Sequence, residues 1–277
     1  MTEHIPNPTL TLTEAAMACI DDFYTRMFRN WPGAVTRRDD GYTLSYSGNV
    51  YLSGANHIWP HHLHTFNPQA IYEAAAFFAA FEAAWSVICV RPYMDAIIDR
   101  LYEQAFTLRW DSALMVLDNT AWADAPRLSH PSASPPPVRM IQAMSKHHLH
   151  DLTCVLSEAF STGPSVNRRV ARIDHLNDPT VRHYLLYQGL HPVSAATVTL
   201  HPQAAQMASI WNVGTRPRFQ RKGYARLLMS GVLADLRAQG ITTSMLLASP
   251  SGYGLYERLG YREIGTVVYL GPPHSLH

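Results

Sequence analysis

The stretch MASIWNVGTRPRFQRKGYA, residues 207–225, decides the fold of this chain. Its first part, residues 207–213, is apolar and predicts a buried β-strand. A proline follows the strand, and the loop then reads QRKGYA over residues 220–225. An amphipathic helix is predicted to begin near Tyr224, so the loop lies between a strand and a helix start.

The QRKGYA loop fits the pattern Q/R-x-x-G-x-G/A and predicts a phosphate-binding loop. Backbone N–H groups in the first turn of a helix lack intrahelical partners, and the helix dipole favours an anion there. Gly223 and Ala225 keep side chains out of the way, while Arg221 and Lys222 add positive charge. The alternative is a basic turn before an ordinary amphipathic helix, because short motifs also occur by chance.

Length and composition favour two soluble domains. A chain of 277 residues is long enough for two cores, and its charged fraction of 16% implies surface buried between domains or subunits, so a homodimer is one option. The net charge of +1 argues against nucleic-acid binding. The cysteine pattern fits reduced thiols, and no apolar run approaches the roughly 18 residues of a membrane span. We therefore expect a cytoplasmic protein with no membrane or nucleic-acid partner.

A segment rich in proline and serine divides the chain. Residues 123–137 contain five prolines and three serines and predict a linker. The element order on either side is similar, and LYEQAF at 101–106 echoes LYERLGY at 255–261, which indicates an internal duplication. The predicted divisions are a first domain at 1–122, the linker, a second domain at 138–272 and a tail at 273–277.

Periodicity predicts the individual elements. In the first domain we expect helices at 12–28, 68–84 and 92–104, and strands at 42–46, 50–58, 85–90, 106–110 and 113–117. In the second domain we expect helices ending at 160 and beginning near 224, a short helix around 255–256, and strands at 138–144, 181–188, 193–200, 207–213, 244–248, 261–265 and 266–270.

A histidine cluster lies in the first domain, at His57, His61, His62 and His64. No acidic or cysteine ligand accompanies it at a known zinc spacing, so a polar loop without metal is the favoured interpretation and a zinc protein the alternative. The segment between Ile58 and Pro68 also contains no glycine. The first domain is therefore expected to lack a phosphate loop of its own.

Together, the strand, the QRKGYA loop, the following helix and LYERLGY resemble the acetyl-CoA site of the GNAT superfamily of N-acetyltransferases. The resemblance covers residues 138–270, and the first half resembles a degenerate copy. It implies an α/β (α+β) fold of two GNAT-like domains, each a mixed, largely antiparallel sheet splayed in the middle and flanked by helices. It also implies an acetyl-CoA-dependent enzyme that acetylates an amine, with a small-molecule acceptor favoured, by direct attack in a ternary complex.

The resemblance assigns roles to particular residues. Asn212, Val213 and Thr215 would bind the pantetheine arm along the free edge of the fourth strand, and the Val213 N–H would stabilise the oxyanion. The pyrophosphate would be held by Gln220, Arg221, Lys222, Gly223, Tyr224 and Ala225. Tyr256 matches the tyrosine that protonates the departing thiolate of CoA, with a core tyrosine as the alternative.

The general base is missing from this pattern. Many relatives carry a glutamate on the fourth strand, but residues 207–213 contain no carboxylate. His183, Glu158, or backbone and ordered water stay open as candidates, and a non-catalytic acyl-CoA sensor or scaffold is the second functional hypothesis. The implied acceptor cleft would involve Phe160, Arg168, Arg169, Tyr187 and His183, although the two arginines could equally be solvated surface.

Overall fold

The computed structural model describes residues 8–29, 31–61, 68–121, 137–201 and 206–273, which form two compact units. The first unit contains the described residues up to Leu114 together with 247–251 and those from Glu263 onward. The second unit contains residues from Met115 to Leu246 and Gly252 to Arg262. The predicted linker, apart from Pro137, lies outside the described residues.

The first half of the chain is helix, three strands, helix, strand, helix, strand. Its elements are α1 (Pro8–Phe28), β1 (Val35–Arg38), β2 (Tyr42–Tyr46), β3 (His57–Pro60), α2 (Pro68–Ala79), β4 (Ser86–Arg91), α3 (Asp95–Glu103) and β5 (Thr107–Asp118). The second half contains β6 (Val138–Gln142), α4 (Lys146–Phe160), α5 (Pro164–Asn167), β7 (Val181–Gln188), β8 (His191–His201), β9 (Met207–Thr215), α6 (Tyr224–Ala238), β10 (Thr243–Ala248), α7 (Pro250–Arg258) and β11 (Arg262–Gly271).

The sheet of the first unit runs β1-β2-β3-β4-β11. The first three strands are antiparallel to one another, β3 and β4 are parallel, and β11 is antiparallel to β4 from Thr266 opposite Arg91 to Leu270 opposite Val87. The last strand, which we expected in the second domain, therefore completes the first unit. Its apolar pattern predicts a buried strand, but the choice of partner is a long-range decision that the pattern does not contain.

The sheet of the second unit runs β6-β7-β8-β9-β10, antiparallel except for the parallel pair β9–β10. Helix α4 covers one face, where Leu152 and Leu156 pack on Leu185 of β7. Tyr184 points to the opposite face, since neighbouring residues of a strand alternate, and donates a hydrogen bond to Asp235 of α6. The prediction of a mixed, largely antiparallel sheet flanked by helices is confirmed.

Several predicted strands were wrong in their extent. Residues 106–110 and 113–117 are one continuous strand, β5, and residues 261–265 and 266–270 are likewise one strand, β11. The expected second strand of the first hairpin, 50–58, is mostly turn, and β3 begins only at His57. Polar or glycine residues within long strands imitate turn signals, and backbone pairing overrides them.

Candidate active site

The sheet of the second unit opens beside the end of β9. Strands β9 and β10 pair in parallel from Met207 opposite Thr243 to Ile210 opposite Leu246. Beyond Ile210, no residue of the described β10 pairs with β9, whereas β8 follows β9 as far as Thr215. The last residues of β9 therefore present a free edge of N–H and C=O groups, which can pair with an extended ligand.

A β-bulge lies at this opening. Thr197 of β8 pairs with Trp211 and Ala195 pairs with Gly214, so Asn212 and Val213 together stand opposite one residue of β8. Asn212 has a φ of 53°, in the left-handed region that asparagine tolerates. A bulge bends its strand and re-aims its backbone groups. The family resemblance implies that Asn212, Val213 and Thr215 contact the ligand, and the bulge and the free edge lie at these residues.

The side chain of Asn212 adds a feature that the sequence did not indicate. Its Nδ2 is buried and has no hydrogen-bond partner within the part of the chain that the structure describes. A buried donor without an acceptor is destabilising by about 1–3 kcal/mol, so an acceptor on a bound ligand would satisfy it.

The QRKGYA loop leads directly into α6, as predicted. Pro217–Phe219 form one 3-10 turn, after which Arg221 (φ 63°) and Gly223 (φ 84°) adopt left-handed conformations. Gly223 is the N-cap of α6, and no side chain caps the helix start. The first N–H groups of α6 therefore lack a side-chain acceptor, and this arrangement is typical of phosphate-binding helix starts.

The side chains of this loop divide into two groups. Gln220 donates from Nε2 to the Thr215 carbonyl (3.1 Å), so it ties the loop to the end of β9. Tyr224 is buried and its ring meets Phe219 edge-on at 6.0 Å. Arg221 and Lys222 are exposed, although Lys222 donates from Nζ to the Arg218 carbonyl (3.0 Å). Arg221 and Lys222 thus supply the positive charge, and Gln220 and Tyr224 hold the backbone in shape.

A CoA thioester, the group that the resemblance implies, fits these residues. The uncapped start of α6 and the exposed basic side chains suit its pyrophosphate, and the free edge of β9 suits its extended arm. The unpartnered Asn212 Nδ2 adds one more donor on the same path.

Tyr256 lies on α7 and is buried, with 7% of its surface exposed. Its ring packs edge-on against Tyr261 at 6.0 Å, but its hydroxyl has no hydrogen-bond partner among the described residues. The hydroxyl of Tyr261, by contrast, shares a hydrogen bond with Ser244 (2.9 Å). Burial raises the pKa of Tyr256 to about 12, so its proton stays on the phenol at neutral pH and is available for donation.

Neither proposed base has the properties of one. His183 is buried, and its two ring nitrogens contact Thr197 (3.0 Å) and His175 (3.2 Å). Burial, reinforced by His175, lowers the pKa of His183 to about 3. Glu158 accepts a hydrogen bond from Arg216, which lowers the pKa of this carboxyl. Both groups are therefore weak proton acceptors.

The predicted acceptor residues separate into exposed and buried pairs. Phe160, at the end of α4, is 46% exposed, and Arg168 is exposed just after α5. Tyr187 and His183 instead lie in the buried layer under α4, where the Tyr187 hydroxyl donates to Asp151 (2.5 Å). The Asp151 contact and the Arg216–Glu158 pair carry no sequence signal, because they join residues far apart in the chain.

The histidine cluster is only partly described. His57 is fully buried on β3 against the ring of Tyr24 (4.7 Å), and His61 shares a hydrogen bond with Thr43 (2.8 Å). His62 and His64 lie outside the described residues. Within 8–29, 31–61, 68–121, 137–201 and 206–273, no three histidine, cysteine or acidic side chains are grouped to hold a metal ion.

Comparisons with known proteins agree with the family resemblance that the sequence shows. Residues 188–264 match the family model of the acetyltransferase (GNAT) domain, in agreement with the resemblance that the sequence predicted. An uncharacterized N-acetyltransferase, ycf52, from Gracilaria tenuistipitata var. liui is 37% identical over 54 residues, 20% of this chain and 30% of that protein. The chain thus spans less than a third of this curated relative.

Solved structures extend the likeness to the whole fold. A GCN5-related N-acetyltransferase from Kribbella flavida superposes with a TM-score of 0.67 at 17% identity, over 94% of this chain and 95% of that one. A tandem GNAT protein from the clavulanic acid biosynthesis pathway gives 0.62 at 10% identity, over 96% and 95%. At such identities the likeness establishes the fold alone, and it agrees with the predicted tandem GNAT architecture. None of the described helices is long and apolar enough to cross a bilayer.

Proposed function

We propose that this protein transfers an acetyl group from acetyl-CoA to the amine of a small-molecule acceptor, by direct attack in a ternary complex. One observation carries the proposal: the free edge of β9 runs through a bulge and a short loop into a helix start that has no side-chain cap. Acetyl-CoA would supply an activated acetyl group as a thioester. The match of residues 188–264 to the GNAT domain supports this choice of donor.

The backbone around the bulge would bind and polarise the thioester. Residues 212–215 offer N–H and C=O groups to the pantetheine arm, and the N–H of Val213 would donate to the oxygen that becomes negative during attack. A fixed backbone donor is effective there because it needs no reorganisation when the charge develops. Arg221, Lys222 and the first N–H groups of α6 would hold the pyrophosphate.

Tyr256 would give its hydroxyl proton to the departing sulfur. Its pKa of about 12 lies above the roughly 8.5 of a free thiol, so complete proton transfer to a solvated thiolate would be uphill. Burial also destabilises the thiolate and raises its pKa, which narrows the difference. Because no described residue binds the Tyr256 hydroxyl, its proton is free to form a hydrogen bond with a ligand sulfur.

The acceptor amine must lose a proton, and the chain offers no strong base for this step. The pKa values of His183 and Glu158 are both lowered, and β9 carries no carboxylate. We propose that the amine enters in its neutral form and attacks the thioester carbon. The proton that the nitrogen then sheds would pass through ordered water, held by backbone carbonyls, to the Tyr256 oxygen and restore the phenol that protonated the departing sulfur. The second-order rate constant kcat/KM should then rise with pH up to the pKa of the amine.

The proposal is tested by titrating acetyl-CoA into the protein calorimetrically and then measuring CoA thiol release with a panel of primary amines. Tyr256→Phe should lower kcat and leave the dissociation constant of acetyl-CoA unchanged. Tyr261→Phe is the matched control, because the hydroxyl of this neighbouring buried tyrosine is already bound to Ser244. Failure of the folded protein to bind acetyl-CoA would refute the proposal, and binding without turnover of any amine would favour the sensor or scaffold hypothesis.

A further inference from the structure

The first unit has an opening of its own in its sheet. Strands β3 and β4 pair in parallel only from His57 opposite Ser86 to Ile58 opposite Val87. Trp59 and Pro60 continue along β2 without a partner in the described β4. The second unit opens after Ile210-Trp211 in the same way. Ile58-Trp59 and Ile210-Trp211 therefore occupy equivalent positions in the two copies.

The sequence at this first opening lacks the glycine-bearing loop of the second unit. The segment between Ile58 and Pro68 contains no glycine, whereas the phosphate loop of the second unit depends on Gly223 at a φ of 84°. Beside the opening lies a cavity of about 230 Å³, which we call the α1 pocket. It is lined by Glu14, Met17, Ala18, Asp21, Arg38, Trp59 and His61.

Asp21 is the decisive residue of the α1 pocket. Its side chain is only 5% exposed, and Oδ2 accepts a hydrogen bond from Arg38 Nη2 (2.5 Å). Oδ1 is buried and has no hydrogen-bond partner within 3.5 Å among the described residues. Burial raises the pKa of the Asp21 carboxyl, and Arg38 and the nearby Thr43 hydroxyl offset this only in part. A buried carboxylate oxygen without a donor is destabilising, and an ammonium group would provide both the hydrogen bond and the opposite charge.

The other polar groups of the pocket leave it with an excess of negative charge. The positive charge of Arg38 offsets the charge of Asp21, but 66% of the Arg38 side chain is exposed to solvent. Glu14 contributes a second carboxylate, which accepts a hydrogen bond from Tyr93 (3.1 Å). His61 is engaged with Thr43 through Nε2 (2.8 Å). Trp59, which is only 2% exposed, completes the lining as its apolar wall.

We propose that the α1 pocket binds the protonated amino group of a small basic molecule. Asp21 Oδ1 accepts a hydrogen bond from the ammonium, Glu14 supplies further negative charge, and Trp59 lines the apolar side. The volume restricts the ligand to a small molecule. This inference concerns the first unit alone and does not rest on the acetyl transfer proposed above.

The test is a calorimetric titration of the full chain with n-butylammonium chloride, in the absence of acetyl-CoA. Neutral n-butanol and anionic n-butyrate, which have similar shape, should bind far more weakly. Asp21→Asn keeps the shape of the side chain and should weaken butylammonium binding about 10- to 100-fold, as expected for a charge-assisted hydrogen bond. Its matched control is Asp22→Asn on the same helix, a carboxylate already bound to Arg26 (2.7 Å) and 31% exposed.

The outcomes separate cleanly. Equal butylammonium affinity in Asp21→Asn and Asp22→Asn, or equal binding of butanol or butyrate, would overturn the proposal. If Asp21→Asn does not fold, the variant Glu14→Gln, at an exposed residue, provides the test. It should weaken butylammonium binding about 2- to 5-fold, which is the effect expected of a partly solvated charge. An unchanged affinity would contradict ammonium binding in the α1 pocket. Acetyl-CoA affinity should be the same in every variant, so failure here is distinguishable from failure of the proposed enzyme.

Discussion

Gly223→Glu is the substitution that should separate acetyl-CoA binding from folding most clearly. Gly223 caps α6 in a left-handed conformation, with a φ of 84°. An L-residue in that conformation is disfavoured by about 1–2 kcal/mol, so some stability will be lost whatever the ligand. The glutamate also brings a negative charge to the helix start where the pyrophosphate is proposed to bind.

The expected loss of affinity can be worked out from that arrangement. If the substitution removes two charge-assisted hydrogen bonds of about 1.5 kcal/mol or more each, binding weakens by at least about 3 kcal/mol. Since about 1.4 kcal/mol corresponds to a factor of ten, the dissociation constant of acetyl-CoA should rise more than about 100-fold. Isothermal titration calorimetry measures it directly, with thermal unfolding followed in parallel.

The same helix supplies the control. Gly240 follows the other end of α6, also has a positive φ (75°), and has open space where a Cβ would lie. Gly240→Glu therefore introduces a comparable backbone strain and the same charge beyond the opposite end of the 15-residue helix, which is itself about 22 Å long at a rise of ~1.5 Å per residue. It should keep wild-type affinity for acetyl-CoA and lose at least as much stability, because a negative charge is unfavourable at the C-terminal end of a helix. If the two variants bind acetyl-CoA equally, the phosphate loop has been assigned to the wrong residues.

Three further predictions concern the second unit. Asn212→Gly removes the unpartnered Nδ2, and glycine tolerates the φ of 53°, so the melting temperature should stay equal or rise. The dissociation constant of acetyl-CoA should rise about 10-fold, because the ligand loses a hydrogen-bond donor. An unchanged dissociation constant would exclude a contact between Asn212 and the ligand. Gly214→Ala would place a Cβ 2.8 Å from the Cβ of Ala159. Urea unfolding should therefore show that the free energy of unfolding falls by about 1–3 kcal/mol. An unchanged free energy of unfolding would mean that α4 moves to make room for the new methyl group. The pKa of His183 is lowered from 6.5 to about 3 in the folded protein. As pH falls below 6.5, His183 therefore takes up a proton in the unfolded chain but not in the folded one, so the free energy of unfolding decreases between pH 6.5 and about 3. In His183→Gln the dependence of unfolding free energy on pH between 6 and 4 should be shallower by up to about 1.4 kcal/mol per pH unit, and an identical slope would contradict a neutral buried histidine.

Local sequence determined the parts of the second unit that depend on short-range geometry. The QRKGYA loop predicted the start of α6 at Tyr224, because a short loop between a strand and a helix leaves few positions for the first helical turn. The short helix with Tyr256 and the two neighbouring strands β7 and β8 were likewise predicted, since each depends on nearby residues.

The site needed information that local patterns do not carry. The bulge at Asn212 and Val213 arises from how β9 pairs with β8, and the opening arises from where β10 stops pairing. His183 and Glu158 were reasonable bases by residue type. Burial and Arg216 respectively lower their pKa values, and both causes are contacts between distant segments.

The sequence by itself determined that this chain contains a strand, a glycine-bearing basic loop and a helix in direct succession, together with a repeated order of elements, because spacing and residue type decide both. Only the tertiary structure decided that β5 and β11 are single long strands and that β11 pairs with β4 in the first unit. A strand of apolar residues can satisfy its backbone against any matching edge, and two related copies provide two such edges. The choice between them depends on the packing of the whole chain, which no local window contains.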